Sequence, residues 1–221
     1  MNNSVIQLLV LAGVAVFLIL KLRSVLGTRD GFEGPAAPPP PLPSDRASRA
    51  GFEVIDGGPD RDITDHVAAG SDAAQALAAM KRIEPAFTVS GFLQGARGAY
   101  EMILEGFAKG DIGALRPFLS PDVAQGFAGV VDGRKAKGLT VTTEILGIRE
   151  LALENAEFSR DTQEAEITVR FVAELISATT DAAGQVVEGD PKRSRKQRDV
   201  WTFARKMGSG DPNWQLVATG A

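Results

Sequence analysis

Hydrophobic and polar residues change their spacing several times along this chain, and each change marks a different kind of segment. From Val5 to Leu20 the run VIQLLVLAGVAVFLIL has Gln7 as its only polar side chain. A helix that lies in water shows a polar face, and this segment has none. Its 16 residues reach roughly 24 Å at about 1.5 Å per residue, against an apolar bilayer core of about 30 Å. Ser4 and the residues to Leu26 complete the crossing, with Lys21 and Arg23 extending to the interface. Residues 4–26 are therefore expected to form a transmembrane anchor.

Residues 27–70 lose any period. Pro35, Pro38 to Pro41 and Pro43 favour extended polyproline II backbone. Phe32, Phe52, Val54 and Ile55 stand alone and do not offset the entropy of ordering such a stretch. A flexible tether is expected, with FEVIDGG its best candidate for a short linear motif.

A helical period begins at Ser71-Asp72. Ala73, Leu77, Met80 and Ile83 recur at steps of three and four until Pro85, with Lys81 and Arg82 beside the apolar stripe. A second, longer helix is expected from about Ser90 to Lys109. Phe92, Leu93, Ala96, Tyr100, Ile103, Leu104 and Phe107 line one of its faces, and Gly110-Asp111 ends it. Leu115, Phe118 and Leu119 suit a short turn. Ser120-Pro121 then caps a third helix running to about Lys137. The period shortens to two after Leu139, where Val, Thr and Ile gather to Ile148 and Gly147 marks a bulge. Glu166 to Ser177 alternates through Ile167, Val169, Phe171, Ala173 and Leu175. DVWTFAR and NWQLVAT alternate likewise. Helices followed by antiparallel strands make an α+β layout, with helices packed over one curved sheet.

Composition narrows the chemistry. The absence of cysteine excludes disulfides, thiolate metal sites and cysteine nucleophiles. A net charge of −4 leaves no overall footprint for nucleic acid. Charge order does more: the residues before the apolar run are uncharged, whereas Lys21, Arg23 and Arg29 follow it. That order argues against a cleaved signal peptide. The positive-inside rule then places the N-terminus outside and the C-terminal domain in the cytoplasm.

Within residues 87–221 the motifs FLQGARGAYEMILEGFAKGD, LRPFLSPDV, AEITVRF, VVEGDP, DVWTFAR and DPNWQLVAT stand in the order found in one family. This segment resembles the C-terminal domain of the Tim44-like family, the mitochondrial inner-membrane import tethers, and its bacterial TimA-type relatives. The resemblance implies a cone-shaped antiparallel sheet wrapped by helices, related to nuclear-transport-factor-two-like and cystatin-like folds. It also implies an apolar interior pocket, an adaptor role at a bacterial inner membrane and an association with anionic lipid. The expected domains are thus 4–26 (anchor), 27–70 (proline-rich tether) and 71–221 (Tim44-like α+β domain).

Candidate chemistry is sparse. His66, the single histidine, falls in the expected tether without an orienting partner. No spacing suggests a metal site or a phosphate loop, and Glu164 with Glu166, alternating on an expected strand edge, serves solubility. No cofactor, metal or catalytic residue is assigned, and no enzymatic activity is expected. Lys192, Arg193, Arg195, Lys196 and Arg198 gather in a short stretch leading into the Trp201 strand. With Lys81 and Arg82 they are the candidate contacts for anionic phospholipid or a protein partner. Phe92, Tyr100, Phe107, Phe171, Trp201 and Phe203 are the candidate lining of the apolar pocket. The leading expectation is a membrane-anchored adaptor; the alternative is a small-ligand-binding protein or an enzyme using the interior of the cone.

Overall fold

The computed structural model describes residues 60–220. Among them no helix is long and apolar enough to cross a membrane, and the expected anchor at 4–26 lies outside the described residues, as does the tether up to residue 59.

The described chain runs through α1 (Arg61–Thr64), α2 (Asp72–Ile83), α3 (Val89–Lys109), α4 (Ile112–Leu115), a 3-10 turn (Arg116–Phe118) and α5 (Pro121–Ala136). Four strands follow: β1 (Thr140–Phe158), β2 (Glu164–Thr180), β3 (Val186–Lys206) and β4 (Gln215–Gly220). They form one antiparallel meander in the order β1-β2-β3-β4. Serine and threonine start the longer helices by accepting orphan backbone N–H groups: Ser71 from Ala74, Thr88 from Gly91 and Ser120 from Val123. Gly110 stops α3 at φ 76°, a left-handed turn suited to glycine.

The core forms where β2 meets the helices. Ala165, Ile167, Val169, Phe171 and Ala173 present one row of β2, all fully buried. Leu77 and Met80 of α2 and Phe92, Leu93, Tyr100 and Ile103 of α3 pack into the same cluster. Each large aliphatic or aromatic side chain removed from water in this row contributes about 1.5–3 kcal/mol. The opposite face of the sheet is polar. There Arg170 pairs with Glu150 and Glu154, each at 2.7 Å, and Arg149 pairs with Glu174 at 2.5 Å. Three register shifts in β1, at Ile145/Gly147, Ile148/Glu150 and Leu153/Asn155, let the sheet curve over the helices.

Three boundaries depart from the sequence expectation. Residues 60–70, placed in the tether, contain α1, whose Ile63 is buried in the core. The turn holds because Asp62 accepts hydrogen bonds from the backbone of Val89 and Ser90 at the start of α3, a contact no local pattern reveals. His66 follows that turn within the folded unit, half-buried. β1 runs ten residues beyond Ile148, to Phe158, because each bulge resets the alternation. The basic stretch expected to lead into a strand is itself part of β3.

Candidate functional site

A groove of about 540 Å³ opens between the first half of α3 and the end of the sheet. Its apolar walls come from Phe87, Phe92, Met102, Phe118, Phe203 and Trp214. Trp214 stands just before β4, 4.7 Å edge-on from Phe92 and 6.1 Å from Phe87. Gly91, Gly95 and Gly98 form the α3 side. A Cβ built at Gly95 or Gly98 meets nothing within 4 Å, so these glycines leave space rather than permit close packing.

One charged side chain enters the wall. Arg205 lines the groove, its side chain only 9% exposed. It pairs through Nη2 with Glu84, whose other oxygen accepts from the Gly208 backbone N–H at 2.6 Å. Nη1 donates to the Asp211 carbonyl at 3.2 Å, and the guanidinium lies 5.2 Å from the Trp214 ring centre. Nε alone is left: it is the one buried side-chain polar atom without a partner among the described residues.

The predicted pocket residues divide into three groups. Phe92 and Phe203 line the groove. Tyr100, Phe171 and Trp201 do not; they fill the interior as a packed cluster, with Tyr100 stacked on Phe171 at 4.3 Å and 4.7 Å from Trp201. The Tyr100 hydroxyl donates to Asp199 at 2.6 Å. Burial, then this bond and the Asp199 charge, push its ionisation well above the ordinary tyrosine range. Phe107 lies apart, packed on Phe127 at 4.6 Å and under Arg134 at 4.4 Å. An interior cavity at Tyr100 is therefore corrected to a rim groove, because three aromatic rings occupy the space.

The basic candidates also separate. Lys81, expected at a membrane or partner surface, is paired at 2.7 Å with both Asp60 and Asp62, its side chain 18% exposed. Burial alone raises the Asp62 carboxyl, but hydrogen bonds from Lys81, Ser90 and Val89 outweigh it and hold the group well below its usual range. Lys81 thus pins α1 to α2, and the α2 stripe of Leu77 and Met80 faces the core, not a bilayer. Arg82 is exposed, with Nε on the Ala78 carbonyl at 3.2 Å. Lys192, Arg193, Arg195, Lys196 and Arg198 are all exposed along β3. None of the five forms an ion pair among the described residues. Among those residues there is also no group of three histidines, cysteines or carboxylates that could hold a metal.

Sequence reasoning did not identify the Gly91, Gly95 and Gly98 stripe or Arg205. The glycines were a readable signal: three of them in the exposed part of one helix each disfavour it by roughly 0.5–1 kcal/mol relative to alanine.

A family model for the Tim44-like domain matches residues 73–221. The human and rat mitochondrial import inner membrane translocase subunits TIM44 are each 25% identical over 175 residues, covering 78% of this chain. The match covers 37% of the length of those relatives. Among solved structures, the intermembrane space region of chloroplast protein ARC6 aligns with a TM-score of 0.32 and 14% identity, over 49% of this chain and 75% of its own; a likeness that low carries no conclusion. With the family model matched from the second residue of α2 to the end of the chain, the chain belongs to the Tim44-like domain family.

Proposed function

We propose that this chain is a membrane-anchored adaptor whose Tim44-like domain holds a protein partner at the cytoplasmic face of a bacterial inner membrane. The observation that carries the reading is the rim groove. Its volume of about 540 Å³ lies within the ordinary range of ligand sites, about 300–1,000 Å³. Aromatic walls with one methionine suit a hydrophobic side-chain cluster of a partner, and the Arg205 side chain in the wall adds one positive charge. The relatives, mitochondrial import inner membrane translocase subunits, support a place in protein transport. The apolar run at 4–26 and the proline-rich stretch after it supply anchor and reach, so that modest affinity suffices at high effective concentration.

Comparing the full wild-type chain with Gly98→Leu tests this. A Cβ at position 98 meets nothing within 4 Å, so a leucine there extends from a residue that lines the groove. Proteins recovered with the wild type from detergent-solubilised membranes, and lost with Gly98→Leu, support the reading. An identical set from both variants overturns it. A second reading rests on the same apolar walls with the charged Arg205 among them, which fit an acyl chain with its carboxyl group. A lipid adduct in native mass spectra, removed by Gly98→Leu while the protein set stays unchanged, would favour that alternative.

A further inference from the structure

β3 is paired unevenly. On one side it runs alongside β2 for most of its length. On the other, β4 reaches it only from Val200 to Ala204. Among the described residues, no strand covers the outer edge of β3 from Val186 to Asp199. Part of that edge is closed by its own shape. β2 advances from Leu175 to Ser177 while β3 runs from Arg195 back to Asp190, so Pro191 to Ser194 leave the ladder as an excursion. Gly189 makes this possible: its φ is +77°, and a Cβ there would sit 2.2 Å from the Ser177 carbonyl oxygen. Between the excursion and β4 lies a regular, open stretch from Arg195 to Arg198, paired to Leu175 through Val172.

The two faces of this stretch differ. Arg195, Gln197 and Asp199 alternate on the face shared with buried Leu175, Ala173 and Phe171. Their side chains form a ladder: Arg195 donates to Gln197 at 3.2 Å, and Gln197 to Asp199 at 2.9 Å. The ladder ends on the buried Tyr100 hydroxyl, which ties the open edge to the core. Lys196 and Arg198 project from the other face without ion-pair partners among the described residues. From Lys192 to Arg198 the chain carries five cations and no acidic residue.

We propose that the β3 edge at Arg195–Arg198 is a docking site for an acidic, extended segment of a partner protein, taken up as an added strand. Strand addition uses the open backbone groups for affinity and alternate side chains for specificity. Lysine, proline and bulges on an edge guard against self-pairing. Here two copies of the edge repel each other, while a segment with carboxylates at alternate positions meets Lys196 and Arg198 in register. An anionic membrane would also be attracted to these charges. It has no use for the backbone edge, and the cations project from both faces of the strand instead of one plane. This site is separate from the groove, so its test stands whether or not the groove binds a partner.

The full chain in phosphatidylcholine nanodiscs is titrated with a fluorescent VEVEVEV peptide, its fully N-methylated analogue and VKVKVKV, and separately with phosphatidylglycerol vesicles. Expected are binding of VEVEVEV alone among the peptides and slowed hydrogen exchange at Arg195–Arg198. Lys196→Glu combined with Arg198→Glu weakens binding about tenfold, and Gly98→Leu leaves it unchanged. Equal binding of the N-methylated peptide overturns the proposal, because charge then acts without strand pairing. Failure of VEVEVEV to bind at millimolar concentration also overturns it, and vesicle binding lost in the same double variant then assigns the edge to lipid.

Discussion

Replacing Gly95 and Gly98 together by alanine should stabilise the domain. Both lie inside the long helix α3, both are exposed, and neither would bring its Cβ within 4 Å of another atom. Alanine therefore adds no clash. It lowers the entropy lost on folding by roughly 0.5–1 kcal/mol per site, roughly 1–2 kcal/mol for the pair. For a domain of this size that is a rise in Tm of roughly 3–6 °C. Urea denaturation followed by helical circular dichroism separates this entropic effect from a change in compactness of the unfolded state: the midpoint should rise with an unchanged slope. Gly110→Ala is the internal contrast. Its φ of +76° and the Val131 Cγ1 atom 3.1 Å from the added Cβ should make it destabilising by about 1 kcal/mol. A fall in stability for the Gly95/Gly98 pair would refute the account, since it would mean that the groove is filled in the folded protein and the glycines permit close contact.

Three further outcomes follow from named contacts. Glu84→Gln removes the charge facing the 9%-exposed Arg205 side chain and should destabilise by about 2 kcal/mol, read by the same urea titration. Asp62→Asn should cost about 1 kcal/mol at neutral pH by weakening the contacts to α2 and α3. Its folded-state ionisation lies below the ordinary value of 3.8, so the wild-type contribution is present above that value and is lost as pH falls below it; the variant and wild type should converge in acid. Tyr100 behaves with the opposite sign. Its ionisation is raised above the ordinary value of 10.0, so its contribution holds below pH 10.0 and is lost as pH climbs beyond it. As Tyr100 is the only tyrosine, tyrosinate absorbance should appear together with the loss of structure, and ionisation near pH 10.0 in a still-folded protein would contradict the buried bond to Asp199.

Elements whose signals are local were legible in the sequence. Ser71, Ser120-Pro121 and Gly110 act as caps where their chemistry predicts, and the clean alternation from Glu166 to Ser177 marks the buried row of β2, though the strand extends to Glu164 and Thr180. What could not be read depends on partners distant in the chain. α1 has one buried apolar residue and is held by Asp62 reaching the start of α3. Lys81 looked like a surface cation because its acidic partners sat in what resembled a tether. The long N-terminal half of β3 is masked by a run of charge that only an open edge tolerates. Tyr100, Phe171 and Trp201 were recognisable as buried aromatics, but periodicity cannot tell a packed interior from a hollow one. The groove arises instead from glycines on α3 and from Trp214 outside the strand, and its Arg205–Glu84 pair joins residues 121 positions apart.

The central claim is that the rim groove holds a partner protein at the membrane. A photoreactive residue placed at Met102, inside the groove, and at Glu166, on the outer face of the sheet, tests it in intact membranes. Discrete protein crosslinks are expected from position 102 that disappear when Gly98→Leu is added, and none of those products from position 166. Crosslinks from position 102 to phospholipid alone, or the same proteins captured from both positions, would contradict it.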